Sequence, residues 1–367
     1  MKVKLYLFLF VICLAFASQQ ALAQGCVAVK DMSACPFSLD STQSHKWQFS
    51  MNYRYFKSFK HYRGSHEEKE RVENGTEVIN HDNSLILGLS YQPSPRWQVT
   101  VAVPLIYIDR SSLYEHYGNN PNTNPRFHTQ GKGFGDLRIA AYYNWIRTSK
   151  FNLNAGLGLK LPTGNYHAKD YFHKRGSQGQ DTLVYRYVDQ SIQLGDGGFG
   201  VFVDINATFR LSRHFSLYGS GFYLFNPRNT NGVVRSANLT NNQNGDPIPG
   251  SNEFSVPDQY LVRAGATFIY KKLQVSLGGR MECIPVYDLI GGEDGFRRPG
   301  YIISAEPSVL YAFGQHLVGL NVPVALVRNR TRSYIDIQRG VDNENKPYHG
   351  DAAFANYLVA LTYAFKF

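Results

Sequence analysis

The sequence predicts an all-β protein: a closed antiparallel transmembrane β-barrel of about 12 strands, with long extracellular loops and short periplasmic turns. Three observations lead there. Segments of strict two-residue alternation recur along the chain, the links between them alternate short and long, and the last segment ends on an aromatic residue with apolar side chains at every second place. Composition agrees. Tyr (25) and Phe (24) are abundant among 367 residues, and aromatic side chains favour strands and bilayer interfaces. After the first 23 residues no apolar run approaches the roughly 20 residues of a spanning helix, so a membrane crossing has to be made by strands.

The chain opens with Lys2 and Lys4, an apolar run from Leu5 to Ala17, and the small residues of Ala21-Leu22-Ala23. Residues 1–23 therefore read as a cleaved secretory signal peptide. Acylation at Cys26, after Gly25, is the alternative, although Ala23 and Gln24 suit a lipobox badly. Loss of Lys2 and Lys4 lowers the formal charge from +10 to +8, which suggests an anionic surface or ligand. Residues 24–45 form an N-terminal segment, either a small plug or a tail. Within it Cys26 and Cys35 are a candidate disulfide of an oxidising compartment. Cys283 is the third cysteine of the mature chain.

The barrel is read over 46–367. Its strands fall at about 46–56, 84–92, 97–107, 136–147, 151–161, 199–210, 215–225, 258–270, 272–282, 301–313, 315–327 and 354–367. The clearest, Phe151-Asn-Leu-Asn-Ala-Gly-Leu-Gly-Leu-Lys-Leu161, puts apolar residues on odd positions and Asn, Gly and Lys on even ones. Successive strand side chains point to opposite faces, so one face is apolar and the other polar or small. Links at 93–96, 148–150, 211–214, 271 and 314 are short. Those at 57–83, 108–135, 162–198, 226–257, 283–300 and 328–353 are long. A soluble sandwich also alternates, but six long loops at one end are foreign to it.

Along the last strand Tyr363, Phe365 and Phe367 continue an apolar stripe. This pattern resembles the insertion signal that barrel assembly machinery reads on outer-membrane proteins. The expected location is the outer membrane of a Gram-negative bacterium. The expected partners are that machinery, outer-membrane lipid and lipopolysaccharide, and a small-molecule solute, with no nucleic acid.

Strand phase sorts the charges. Arg54, Arg138, Lys160, Asp204, Arg210, Arg263, Arg280, Glu282, Glu306 and Lys366 fall on the inward face and are the lumen-lining candidates. Basic residues outnumber acidic ones, and Arg54, Arg138, Arg263 and Arg280 should form a basic ring near the extracellular mouth. Such a ring favours anionic or neutral solutes; the alternative is a structural cluster neutralised by Glu282 and loop acids. Asp204 and Glu306, nearer mid-strand, call for cationic neighbours. Arg328-Asn-Arg-Thr-Arg332 reads either as a lipopolysaccharide-phosphate contact or as a solvated loop face. His61, His66, His81, His116, His128, His167, His173 and His349 fall in expected loops without helical metal spacing. No catalytic residue, metal site or cofactor is expected.

Three stretches, Gly133-Phe-Gly-Asp-Leu-Arg138, Gly158-Leu-Lys-Leu-Pro-Thr-Gly164 and Gln190-Ser-Ile-Gln-Leu-Gly-Asp-Gly-Gly198, resemble the bacterial outer-membrane family named for the meta-pathway of phenol degradation. That family is distantly like fatty-acid transport barrels. The resemblance implies a channel or transporter for uptake of a small, hydrophobic or anionic compound. Residue by residue the glycines also have a plain structural meaning, as turn and loop-exit positions. A surface adhesion or structural barrel, with 226–257 as contact surface, is the alternative. An outer-membrane lipid hydrolase is a weaker one, because the His-x-Ser-Asn-Gly stretch of twelve-stranded phospholipases is missing.

The C-terminal stripe generates a prediction. Phe367→Ala should remove most of the folded, heat-modifiable band from outer-membrane fractions. Wild-type levels of that band would show the stripe to be incidental.

Overall fold

The structure, a computed structural model, describes residues 46–235 and 237–367. Cys26 and Cys35 lie outside the described residues. Twelve antiparallel strands close into a barrel: β1 Trp47–Arg63, β2 Ile79–Tyr91, β3 Trp97–Ser111, β4 Leu137–Arg147, β5 Phe151–Leu161, β6 Gly200–Arg210, β7 Phe215–Phe225, β8 Gln259–Tyr270, β9 Leu273–Ile284, β10 Gly300–Phe313, β11 in two halves, His316–Asn321 and Val324–Asn329, and β12 Ala352–Lys366. Each pairs with its sequence neighbours, and β1 pairs with β12 from Gln48↔Lys366 to Tyr62↔Ala352. Closure leaves no row of unpaired N–H and C=O groups to face hydrocarbon. The C-terminus takes part: Phe367 N–H donates to the Trp47 carbonyl at 2.9 Å, and Trp47 N–H returns a bond at 3.1 Å.

Leu89, Val99, Leu157, Ile205, Leu217, Val262, Leu277, Val309, Leu320 and Leu361 are exposed on the outer face, as a lipid-facing band requires. Toward the short turns the aromatic residues form a girdle. Trp47 packs on Tyr91 (4.5 Å between ring centroids), Trp97 on Tyr143 (4.9 Å) and Phe365 on Phe367 (5.7 Å). The amphipathic Trp and Tyr rings suit the membrane–water interface.

Four details depart from the sequence reading. First, β1, β2 and β3 run four to seven residues further from the short-turn end than expected, and the first loop shrinks to 64–78. Above the apolar band the wall is polar or aromatic on both faces, so alternation no longer marks it. His61 and His81 are consequently strand residues. Second, β11 is broken before Pro323, which has no N–H to donate. Its first half pairs with β12 over six residues, but its second half meets β12 only at Val324↔Tyr357. Third, the loops carry their own strands: Lys169–Arg175 pairs with Asp181–Tyr187, Thr230–Val234 with Glu253–Ser255, and His128–Phe134 extends the sheet beside β3. Fourth, the arginine run after β11 is neither a solvated face nor an outward phosphate contact. Arg328 donates to the Ala355 carbonyl, Arg330 to Asp336, and Arg332 to the carbonyls of Tyr348, Asp336 and Gly340.

The loop end should face the medium. In intact cells an added protease should cut first within the exposed tip 242–246. Cleavage at 93–96 ahead of any loop would invert the orientation.

Candidate functional site

Eight of the ten inward candidates lie buried inside the barrel: Arg54, Arg138, Lys160, Asp204, Arg263, Arg280, Glu282 and Glu306. Arg210 is exposed and Lys366 half-buried, both at the short-turn end. Arg263 and Arg280 stand directly opposite each other across β8 and β9, a pairing of like charges that is unfavourable alone. Glu306 of β10 resolves it. One of its oxygens is 3.5 Å from Arg263 Nε and 3.3 Å from an Arg280 nitrogen, while Arg280 also donates to Glu282 at 2.7 Å. Asp204 accepts from the Tyr142 hydroxyl (3.1 Å) and from Asn206 (3.0 Å).

Beside these charges the interior is apolar. Ala140, Tyr142, Phe202, Phe222, Leu224 and Leu261 form one buried cluster, and the Arg138 guanidinium lies 5.8 Å from the Phe222 ring centroid. The cluster depends on Gly158, directly opposite Phe202 across β5 and β6. A Cβ on Gly158 would overlap the Phe202 ring. The lumen is thus amphiphilic, with an apolar wall from β4 to β8 and a charged one from β8 to β10.

The charge balance differs from the phase count. Asp82, Asp136 and Asp196 line the same interior cavity as Arg54, Arg138 and Lys160. With Arg298, which lines it too, six basic residues therefore face six acidic ones within the barrel, and the expected basic ring is neutralised where it stands. Asp82 was missed because the alternation of β2 was read only from residue 84. Asp136 and Asp196 were visible in the glycine motifs, but nothing in the sequence aimed them inward.

Those three motifs converge on one spot. Asp136 accepts the Gly164 N–H at 3.0 Å and the Asp196 N–H at 3.3 Å. Thr163 Oγ1 donates to the Gly135 carbonyl (3.0 Å) and accepts from Leu137 N–H (2.8 Å). Lys160, 1% exposed, pairs with Asp196 and stands 4.0 Å from Asp136. Gly164 and Gly195 meet backbone to backbone, and a Cβ on Gly164 would lie 2.9 Å from Gly195 Cα. The result is a loop drawn into the barrel mouth. Ile192 and Leu194 are buried against Ile106, Ile108, Ala168 and Val188. Asp189 accepts the Ser191 N–H that opens a single 3-10 turn. Beneath this roof lies a cavity of about 110 Å3.

Two carboxyls of the roof are shifted in opposite directions. Burial and the neighbouring Asp196 raise the Asp136 pKa against the pull of Lys160. For Asp189 burial also pushes upward, but Arg110 and Arg298 outweigh it and hold the carboxyl well below its usual range. Stability from Asp189 is therefore present above the ordinary carboxylate pKa, near 4, and is lost only as pH falls through its lower folded value.

Among the described residues one group has metal-ligand composition: His61, Glu68 and Asp351. Its donor atoms are already engaged. His61 Nε2 accepts the Val78 N–H at 2.9 Å, so Nδ1 carries the proton given to Asp351 at 2.6 Å. Arg63 and Arg71 hold Glu68 and Asp351, at 2.9 and 2.8 Å. The group is an ion-pair network at the barrel rim. Cys283 is a buried free thiol of β9.

Residues 112–175 match a family model described as putative MetA-pathway of phenol degradation, a span that contains the first two motifs. No curated protein sequence matches the chain. An outer-membrane channel from Pseudomonas putida F1 superposes with a TM-score of 0.55 at 12% identity, covering 90% of this chain and 100% of that one. The P. putida toluene transporter TodX gives a TM-score of 0.44 at 9% identity, with 92% and 93% covered. A Pseudomonas aeruginosa FadL homologue gives 0.41 at 10%, with 94% and 96% covered. The first of these shows the fold, a closed antiparallel β-barrel like that of the channel.

Lys160→Met should leave Asp136 and Asp196 facing each other in a buried site, at a cost of about 3–5 kcal/mol. Release of 189–198 should appear as faster tryptic cleavage at Arg186 and larger single-channel conductance. Wild type should show no release at pH 5. An unchanged variant would mean that the roof is held by other contacts.

Proposed function

We propose that this barrel is an outer-membrane channel, not an enzyme, that takes up a small solute with an apolar body and a neutral or anionic polar group. The observation that carries this reading is the amphiphilic lumen. Phe56, Pro104, Leu194 and Ile284 give the cavity beneath the roof an apolar lining beside the cationic groups of Arg54, Arg138 and Lys160. Pockets for small molecules combine apolar lining with a few fixed polar groups in this way. In this reading 1–23 is removed on export, the assembly machinery inserts 46–367, and lipopolysaccharide surrounds the outer leaflet side. The adhesion alternative is weakened by loop 226–257. Of its apolar residues Val233, Ile248, Phe254 and Val256 are buried and Val234 and Leu239 are exposed, so most of the loop's apolar surface packs onto the barrel top rather than forming a contact face.

Planar bilayers test the reading. The wild-type barrel should conduct weakly, because the roof narrows it, and without strong cation preference. Arg280→Ala removes a cation that pairs with both Glu282 and Glu306, so reversal potentials across a salt gradient should move toward cation selectivity. Strong cation selectivity in wild type, unmoved by Arg280→Ala and Arg263→Ala, would sink the assignment.

A further inference from the structure

Above the roof lies a second and larger cavity, about 450 Å3, walled by the strand tops and the surrounding loops. This is within the range of small-molecule pockets, about 300–1,000 Å3. Six arginines line it: Arg71, Arg110, Arg235, Arg298, Arg330 and Arg339. Four have a carboxylate at short range. Arg71 meets Asp351 at 2.8 Å, Arg110 meets Glu115 at 2.9 Å, and Arg330 meets Asp336 at 2.9 Å. Arg298 grips both oxygens of Asp189, at 2.9 and 2.7 Å.

Arg235 and Arg339 have no acidic partner among the described residues. Each lies instead on an aromatic face. The Arg235 guanidinium is 3.9 Å from the Phe296 ring centroid, and that of Arg339 is 3.4 Å from the Tyr348 centroid. Arg298 also lies over Phe296, at 4.8 Å. Stacking of this kind engages the face of the guanidinium plane and leaves its in-plane N–H donors available. The charged and titratable groups around Arg235 are Arg298, Asp189, Tyr114 and Tyr348, and Asp189 is already shared between Arg298 and Arg110.

A cavity with two uncompensated planar cations and aromatic walls is complementary to one chemistry. Guanidinium forks match the two oxygens of a carboxylate bidentately, and Phe296, Tyr348 and Tyr114 provide surface for an apolar body. We infer that this vestibule is the capture site for a small organic carboxylate, with Arg235 and Arg339 as the guanidiniums that receive it. The inference rests on the channel reading and specifies its solute. It also places the positive charge in the loops above the roof, not in the lumen.

Calorimetric titration of the detergent-solubilised full-length chain tests it, with benzoate, benzyl alcohol and inorganic phosphate as probes. Benzoate should bind and weaken with added salt. Benzyl alcohol, of the same shape without charge, should bind far less, and phosphate more weakly than benzoate. Arg235→Gln with Arg339→Gln should lower benzoate affinity about tenfold or more, since hydrogen bonds to charged groups are removed. Arg213→Gln, in the short turn at the opposite end, should leave binding intact. Heat-modifiability verifies that each variant folds, and the wild-type comparison of benzoate with benzyl alcohol stands even where the double variant does not. Benzoate binding no tighter than benzyl alcohol, or unaffected in a folded double variant, overturns the inference, as does preference for phosphate. Bilayer conductance of wild type separates the two readings. Ion conduction without benzoate binding overturns the vestibule alone, whereas benzoate binding by a barrel that conducts nothing overturns the channel and upholds the vestibule.

Discussion

Everything in this structure follows from the demand that backbone N–H and C=O groups be satisfied inside hydrocarbon. A sheet meets that demand only by closing, and here closure runs through thirteen residue pairs between β1 and β12. Once the sheet is closed, each strand has one face toward lipid and one toward the lumen, so a single phase fixes the fate of every side chain. Leu277 and Val275 face outward because Arg280 and Ser276 face inward. A one-residue slip would carry Arg280 into lipid, where a midplane arginine costs about 2–4 kcal/mol. The charged residues therefore act as register markers as well as lumen groups.

Enclosing charges raises a second demand. The lumen charges are buried, so a lone guanidinium or carboxylate there would be costly. The structure answers with shared partners. Glu306 serves both Arg263 and Arg280, and Lys160 stands between Asp136 and Asp196. Pairing also explains why the interior is close to neutral despite the basic composition of the chain. The uncompensated cations sit where the barrel opens to solvent, and there aromatic faces support them in place of carboxylates.

How much of this was legible in the sequence depended on period. The twelve strands and their alternating short and long links were readable because lipid on one side and lumen on the other impose a strict two-residue rhythm. The strand tops were not, since residues such as Lys57, Ser58 and Lys60 are polar or solvated on both faces and carry no rhythm. Loop paths were illegible for the same reason. Asp196 and Asp189 are ordinary loop acids in the sequence, and only the folded chain shows one paired with Lys160 and the other clamped between Arg110 and Arg298. The glycine motifs were visible as motifs, yet their purpose was not. Gly164 and Gly195 are glycines because two backbones touch there, a fact about two segments thirty residues apart.

The break in β11 marks the limit of the closure argument and shows what replaces it. Pro323 removes a donor, and above it the ladder to β12 is reduced to Val324↔Tyr357. The wall is held there by other means. Leu358 N–H donates to the Pro323 carbonyl at 3.0 Å, Arg328 reaches across to the Ala355 carbonyl and the Asn356 side chain, and Phe56, Leu358 and Ala360 pack from the neighbouring strands. Side-chain donors and apolar contacts thus take over from the ladder at the point where the sheet is weakest. Since Arg328 belongs to the run that continues into Arg330 and Arg332, the same short segment secures this seam, pairs Asp336 and lines the vestibule. Charge that reads as a single surface feature in the sequence is divided among three structural tasks by the strand end that precedes it.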